Sequence, residues 1–113
     1  MQTIQIDGQK FVGPYIIGKD EIPQVKGIGL TITETGEGFK IMSIVHGDDL
    51  REVIMNHPKM DCWKQHAYHG NIDVYICETD MSPDKREEFR IKGIEKRRDV
   101  IFCDEVPRIE DDW

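Results

Sequence analysis

Residues 39–58 read FKIMSIVHGDDLREVIMNHP, and this stretch decides the fold. Phe39 to Val45 is an apolar run in which Ile41, Ile44 and Val45 suit a half-buried strand. Gly47 frees the backbone to turn, and Asp48 or Asp49 is placed to accept hydrogen bonds from the first helical N–H groups. Leu50, Val53 and Ile54 then recur at i, i+3 and i+4, which predicts a helix over about 48–57 with one face turned inward. Pro58 disfavours a helical His57 and ends the segment. Strand, turn and helix form a ledge on which a site can sit.

Working outward, residues 3–17 (TIQIDGQKFVGPYII) alternate around Asp7-Gly8, a favoured hairpin pair, so Thr3–Ile6 and Lys10–Val12 read as paired strands. Pro14 points to an edge or a bulge before Tyr15-Ile16-Ile17 resumes the extended run. Residues 18–27 form a polar loop with room for a short helical turn. Ile28–Thr35 alternates and pairs back on Phe39–Val45 as a hairpin. Met60–Tyr68 is a second short helix, and Ile72–Cys77 is the clearest half-buried strand. Ser82 caps a helix expected to reach Arg98, with Pro83 at its first position. Asp99–Cys103 reads as a last short strand. The order predicts an α+β domain: a small, mainly antiparallel sheet flanked by helices. Residues 1–103 form that single domain, and 104–113 an acidic C-terminal tail.

Composition narrows the classes. With 38% hydrophobic and 33% charged residues over 113 positions, the chain can bury one core. No stretch approaches the roughly 20 apolar residues of a membrane span, and the N-terminus lacks the pattern of a signal peptide. Three cysteines at irregular spacing argue against a disulfide framework and for a reducing, cytoplasmic setting. A net charge of −7 excludes broad attraction to phosphate backbones, but not a local basic face. Seven of the fifteen Lys and Arg lie in residues 85–98, so such a face has one obvious location.

Several spaced motifs together resemble the GIY-YIG nuclease domain over about residues 11–98. Gly13-Pro14-Tyr15-Ile16-Ile17 is similar to its first signature strand, and Ser43-Ile44-Val45-His46-Gly47 to the end of its second. Asp49 to His57 resembles the family's first helix, and the strand and helix after it continue the family's order. The resemblance implies a metal-dependent phosphodiester hydrolase using Mg²⁺ or Mn²⁺. It assigns proton transfer to Tyr15 and His57 and the metal to Glu88. The family's second tyrosine falls at Ile44 or Val45 and its arginine at Val53, leaving Arg51 or a helix arginine as the replacement cation. Losing transition-state charge stabilisation removes what is often the largest catalytic contribution. A binding or accessory module of bacterial type is therefore expected, with a divergent endonuclease as the alternative.

The helix over 84–98 carries three charged stripes: Asp84, Glu88 and Glu95; Lys85, Lys92 and Lys96; and Arg86, Arg90 and Arg97. Lys85, Arg86, Arg90, Lys92, Lys96 and Arg97 are the expected nucleic-acid contacts. The plain alternative is a solvated helix laced by pairs such as Glu88–Lys92. Cys62, His66 and His69 at i, i+4 and i+7, with His57 or His46 as a fourth donor, outline a third reading as a zinc-binding or protein-interaction domain. Without paired Cys knuckles a zinc site is not expected.

Overall fold

The computed structural model describes residues 1–101 and 103–104. It is an α+β domain built on a five-stranded, fully antiparallel sheet. The strands are β1 (Gln2–Ile6), β2 (Gln9–Ile16), β3 (Gly27–Thr35), β4 (Gly38–Gly47) and β5 (Asp73–Glu78). Their order across the sheet is β1-β2-β5-β3-β4, so β5 is inserted between two sequence-local hairpins. The helices are α1 (Leu50–Met55), α2 (Met60–His66) and α3 (Pro83–Lys96), with a single 3₁₀ turn at Tyr68–Gly70.

Each hairpin follows from local chemistry. Asp7 (φ 51°) and Gly8 (φ 82°) both adopt the left-handed conformation that a two-residue hairpin turn requires. Pro14 sits inside β2, not at the sheet's edge, and the β2–β5 register slips between Val12 and Tyr15. That bulge accommodates a residue with no N–H to give the ladder. On β3, Ile28, Leu30 and Ile32 point to one face, while Thr31 and Thr33 are buried on the other.

Alternation loads both faces. Ile28, Leu30, Ile32, Ile44, Tyr75 and Cys77 pack beneath α3 with Phe89 and Ile94. Met42, Val45, Val74 and Ile76 pack beneath α1 and α2 with Leu50, Ile54 and Trp63. Trp63 is fully buried, and its indole N–H donates to Ser43 Oγ at 2.8 Å, so the largest side chain enters the core without an unpaired donor.

Two expectations are corrected. Residues 99–103 make no strand among the described residues. The chain turns after α3, and Cys103 N–H donates to Met42 C=O at 3.0 Å on the outer side of β4. Cys62 and Cys103, expected as separate thiols, form a disulfide across 41 residues of sequence. An odd cysteine count concealed it, because Cys77 stays a buried free thiol. Apart from Asp104, the acidic tail lies outside the described residues. Among the described residues, no helix is long and apolar enough to cross a membrane.

The tightest backbone approach is at Gly27, where a Cβ would collide with the Cys77 carbonyl and come within 3.1 Å of Glu78 Cα. Neither neighbour can swing aside, so Gly27→Ala should cost about 1–3 kcal/mol. Gly36, at the tip of the β3–β4 hairpin, has nothing within 4 Å of such a Cβ. Gly36→Ala should change stability by no more than about 0.5 kcal/mol. Urea melts of the two variants test this, and matching midpoints would contradict the packing at Gly27.

Candidate functional site

The ledge forms as the sequence requires. Asp49 caps α1, its side chain accepting from Glu52 N–H at 3.3 Å, and Leu50 and Ile54 are buried beneath the helix. Gly47 has no room for a side chain, because a Cβ there would strike Val53 Cγ2. Arg86 reaches this turn from α3, donating to Gly47 C=O at 3.1 Å and to Asp48 Oδ1 at 3.0 Å. Arg86 is 2% exposed. It clamps the turn, and a buried guanidinium in that position has no face left for a phosphate.

The arginine stripe of α3 therefore points towards the sheet. Arg90 makes a two-pronged contact with Glu87 (2.6 and 3.1 Å), which holds that carboxyl below its usual range. His46 Nε2 shares the same Glu87 Oε1 at 3.1 Å. Arg97 grips Asp7 with both terminal nitrogens at 2.9 Å, tying the end of α3 to the β1–β2 turn. Gly93 makes this closeness possible, since a Cβ there would lie 2.6 Å from Ile44 Cδ1. Guanidiniums can lie at the margin of such a contact by laying their stems along apolar surface.

The lysine stripe faces solvent. Lys92 pairs with Glu88 at 2.7 Å, Lys85 with the same carboxylate at 3.9 Å, and Lys96 with Asp7 at 3.4 Å. All six residues expected to contact nucleic acid thus have an acidic partner within the chain.

Tyr15 follows the β2 bulge and packs against the α1–α2 side of the core. It also lines a groove of about 550 Å³ with Lys10, Val12, Pro23, Val25 and Glu78. His57 follows α1 and stacks on Trp63, with ring centroids 4.7 Å apart. Its Nδ1 accepts from Lys59 N–H at 3.0 Å. Burial pushes its pKa below the ordinary value, favouring neutral imidazole. Arg51 donates to Ile22 C=O at 2.6 Å and pairs with Glu21 at 3.2 Å, so it fastens the 18–26 loop to α1. Glu88 is exposed on α3, with Lys92 lowering its pKa. Tyr15 and His57 belong to one side of the sheet and Glu88 to the helix on the other. The three do not gather in one pocket.

Mg²⁺ and Mn²⁺ want several oxygen donors, whereas the oxygens of Glu88 are engaged by two ammonium groups. The residues present do not fit the hard cation that the resemblance implies. Among the described residues, the group of three close donors of metal-ligand type is Cys62, His66 and Cys103, all within 4.8 Å of one another. His66 belongs to the sequence-expected set, and Cys103 takes the place in it that the spacing offered to His69.

Asp104 is the polar residue that sequence reasoning missed. Its carboxylate accepts from Ile44 N–H at 2.8 Å, and burial raises its pKa. The bond to Ile44 sets Asp104 beside β4 one residue from Ser43, which accepts from the Trp63 indole, and the charges of Arg90 and His57 act against the rise in its pKa. No local pattern marks it, because its partners lie about sixty positions away. Comparison with protein-family models, curated proteins and solved structures finds no significant match.

The Asp7–Arg97 pair makes a prediction about pH. The Arg97 guanidinium holds the Asp7 carboxyl below its ordinary 3.8. The unfolded chain thus binds more protons in that window, so the stabilisation is present above 3.8 and lost as pH falls through the folded-state value. Asp7→Asn, which tolerates the same left-handed backbone, should cost about 1–2 kcal/mol at neutral pH. Chemical denaturation should show the gap from wild type closing in acid; a constant gap would mean that the ion pair is not its source.

Proposed function

We infer that this chain is a binding or accessory module of GIY-YIG-like topology whose hydrolytic set is incomplete. The observation that carries this reading is the separation of Tyr15 and His57 from Glu88 by the sheet. In-line cleavage of a phosphodiester needs proton transfer, a cation and a metal converging within hydrogen-bond reach of one phosphate. Arg51, the replacement cation, is occupied with the 18–26 loop. The strand-helix-helix-strand-helix order over β4 to α3 supports the topological part of the reading, whereas residues 13–16, likened to the first signature strand, lie in β2 with β5 and β3 between it and β4.

A protein partner suits the charge distribution better than nucleic acid. The cations of α3 already have acidic partners, Arg97 and Arg86 in Asp7 and Asp48 of distant segments and Arg90 and Lys92 in Glu87 and Glu88 of the same helix, and the net charge is −7. Nucleic-acid association is the second reading, favoured by one observation: Lys92, Lys96 and Arg98 line an open cleft with Glu95 as its one acid. A cytoplasmic setting belongs to the same inference, and it would keep Cys62 and Cys103 as thiols.

The purified chain should not nick supercoiled or branched DNA with Mg²⁺ or Mn²⁺, and Glu88→Ala should leave that baseline unchanged. Duplex and single-stranded DNA should bind no tighter than the nonspecific range of about 10⁻⁴–10⁻⁶ M at physiological salt. Metal-dependent nicking abolished by Glu88→Ala would overturn the module in favour of a divergent endonuclease. Tight binding that weakens steeply with salt, and weakens again in Lys92→Ala/Lys96→Ala, would select the nucleic-acid reading.

A further inference from the structure

We propose that Cys62, His66 and Cys103 form a redox-gated metal site, bridged as a disulfide when oxidised and holding Zn²⁺ when reduced. The site is assembled from two independently anchored pieces. Cys62 and His66 sit at i and i+4 on α2, so one helical face offers a sulfur and an imidazole together. Cys103 comes from the segment after α3, where its N–H is bonded to Met42 C=O and the adjoining Asp104 carboxylate to Ile44 N–H. Both anchors lie outside the S–S bond, so breaking that bond leaves the two sulfurs facing each other across the same short gap.

The geometry and the donor chemistry agree. The three ligand atoms lie within 4.8 Å of one another. Zn–S bonds of about 2.3 Å and Zn–N bonds of about 2.0–2.1 Å in a tetrahedron require donors separated by roughly 3.4–3.8 Å. Opening the bridge moves the sulfurs apart towards that spacing, and His66 has only a small adjustment to make. Two thiolates and one imidazole are a soft set that selects Zn²⁺ over Mg²⁺ or Mn²⁺. With three protein ligands, the fourth position goes to water. Cys103 is buried, Cys62 half-buried and His66 exposed, so the site is reached from the His66 side.

The exchange balances. A dithiol reductant gives two electrons and two protons to the Cys62–Cys103 bond and leaves as a cyclic disulfide. Zn²⁺ then displaces the two thiol protons to solvent. In either state α2 stays tethered to the segment lining β4; only the reduced, metal-free chain loses the tether. A reducing compartment would thus replace the covalent link with a metal, not abolish it.

The test uses the full chain, reduced with a non-chelating phosphine, loaded with Zn²⁺ and desalted. Reduced protein should retain one zinc per chain by elemental analysis, and oxidised protein none. Co²⁺ in place of Zn²⁺ should give thiolate-to-metal charge transfer in the near ultraviolet. His66→Ala should weaken zinc binding at least about tenfold, yet leave disulfide formation in the oxidised chain intact. Cys103→Ser should lose both, and Cys77→Ser neither, since Cys77 lies in the core on the α3 side. Should the reduced chain unfold, added Zn²⁺ should restore its circular dichroism, and failure to do so overturns the site. Zinc retention equal in oxidised and reduced protein, or unaffected by His66→Ala, also overturns it.

Discussion

The outer margin of β4 is where this fold is closed. β4 has β3 on one side only, so its other side offers peptide groups that would recruit another strand if left bare. Ile101, Cys103 and Asp104 lie along that margin. Ile101 enters the core under α3 and Cys103 the core under α2. Met42 C=O and Ile44 N–H find partners in Cys103 N–H and the Asp104 carboxylate. The same segment brings Cys103 to Cys62. One short irregular segment thereby seals a strand, joins two cores and delivers a sulfur.

Charge in this molecule is largely structural. Asp7–Arg97 locks the first hairpin to the end of the last helix, Asp48–Arg86 locks the strand–helix turn, and Arg51 locks the long loop. These are contacts between distant parts of the chain. They replace some of the apolar packing that a small sheet with one long helix cannot supply. Exposed pairs such as Lys92–Glu88 contribute little beside them.

Strands and helices were legible because their signals are local. Asp7-Gly8, Asp49 and Ser82 each act on neighbours within three or four residues, and the structure uses each as a turn or cap. The alternation of Ile72–Cys77 likewise located β5, though not its central place in the sheet, which depends on pairing with Gly27–Ile32. The orientation of α3 was not legible. Arginine at 86, 90 and 97 reads as a solvent face unless Gly93 is recognised as the point where helix and strand touch. The Cys62–Cys103 pair and Asp104 were hidden for a different reason: their partners come together only after the sheet is complete. The helix-borne half of the metal-ligand group was visible at i and i+4; its third member was not.

The bond between Cys62 and Cys103 closes a ring that encloses α2, β5 and α3. Traction on the chain end beyond Cys103, as from a threading unfoldase, would pass through sulfur directly into α2. Once Asp104 lets go of Ile44, the strip along β4 is held at Cys103, and the central strand would be shielded until the ring opened. Resistance to being pulled apart from that end is thus governed by thiol chemistry more than by the depth of the core.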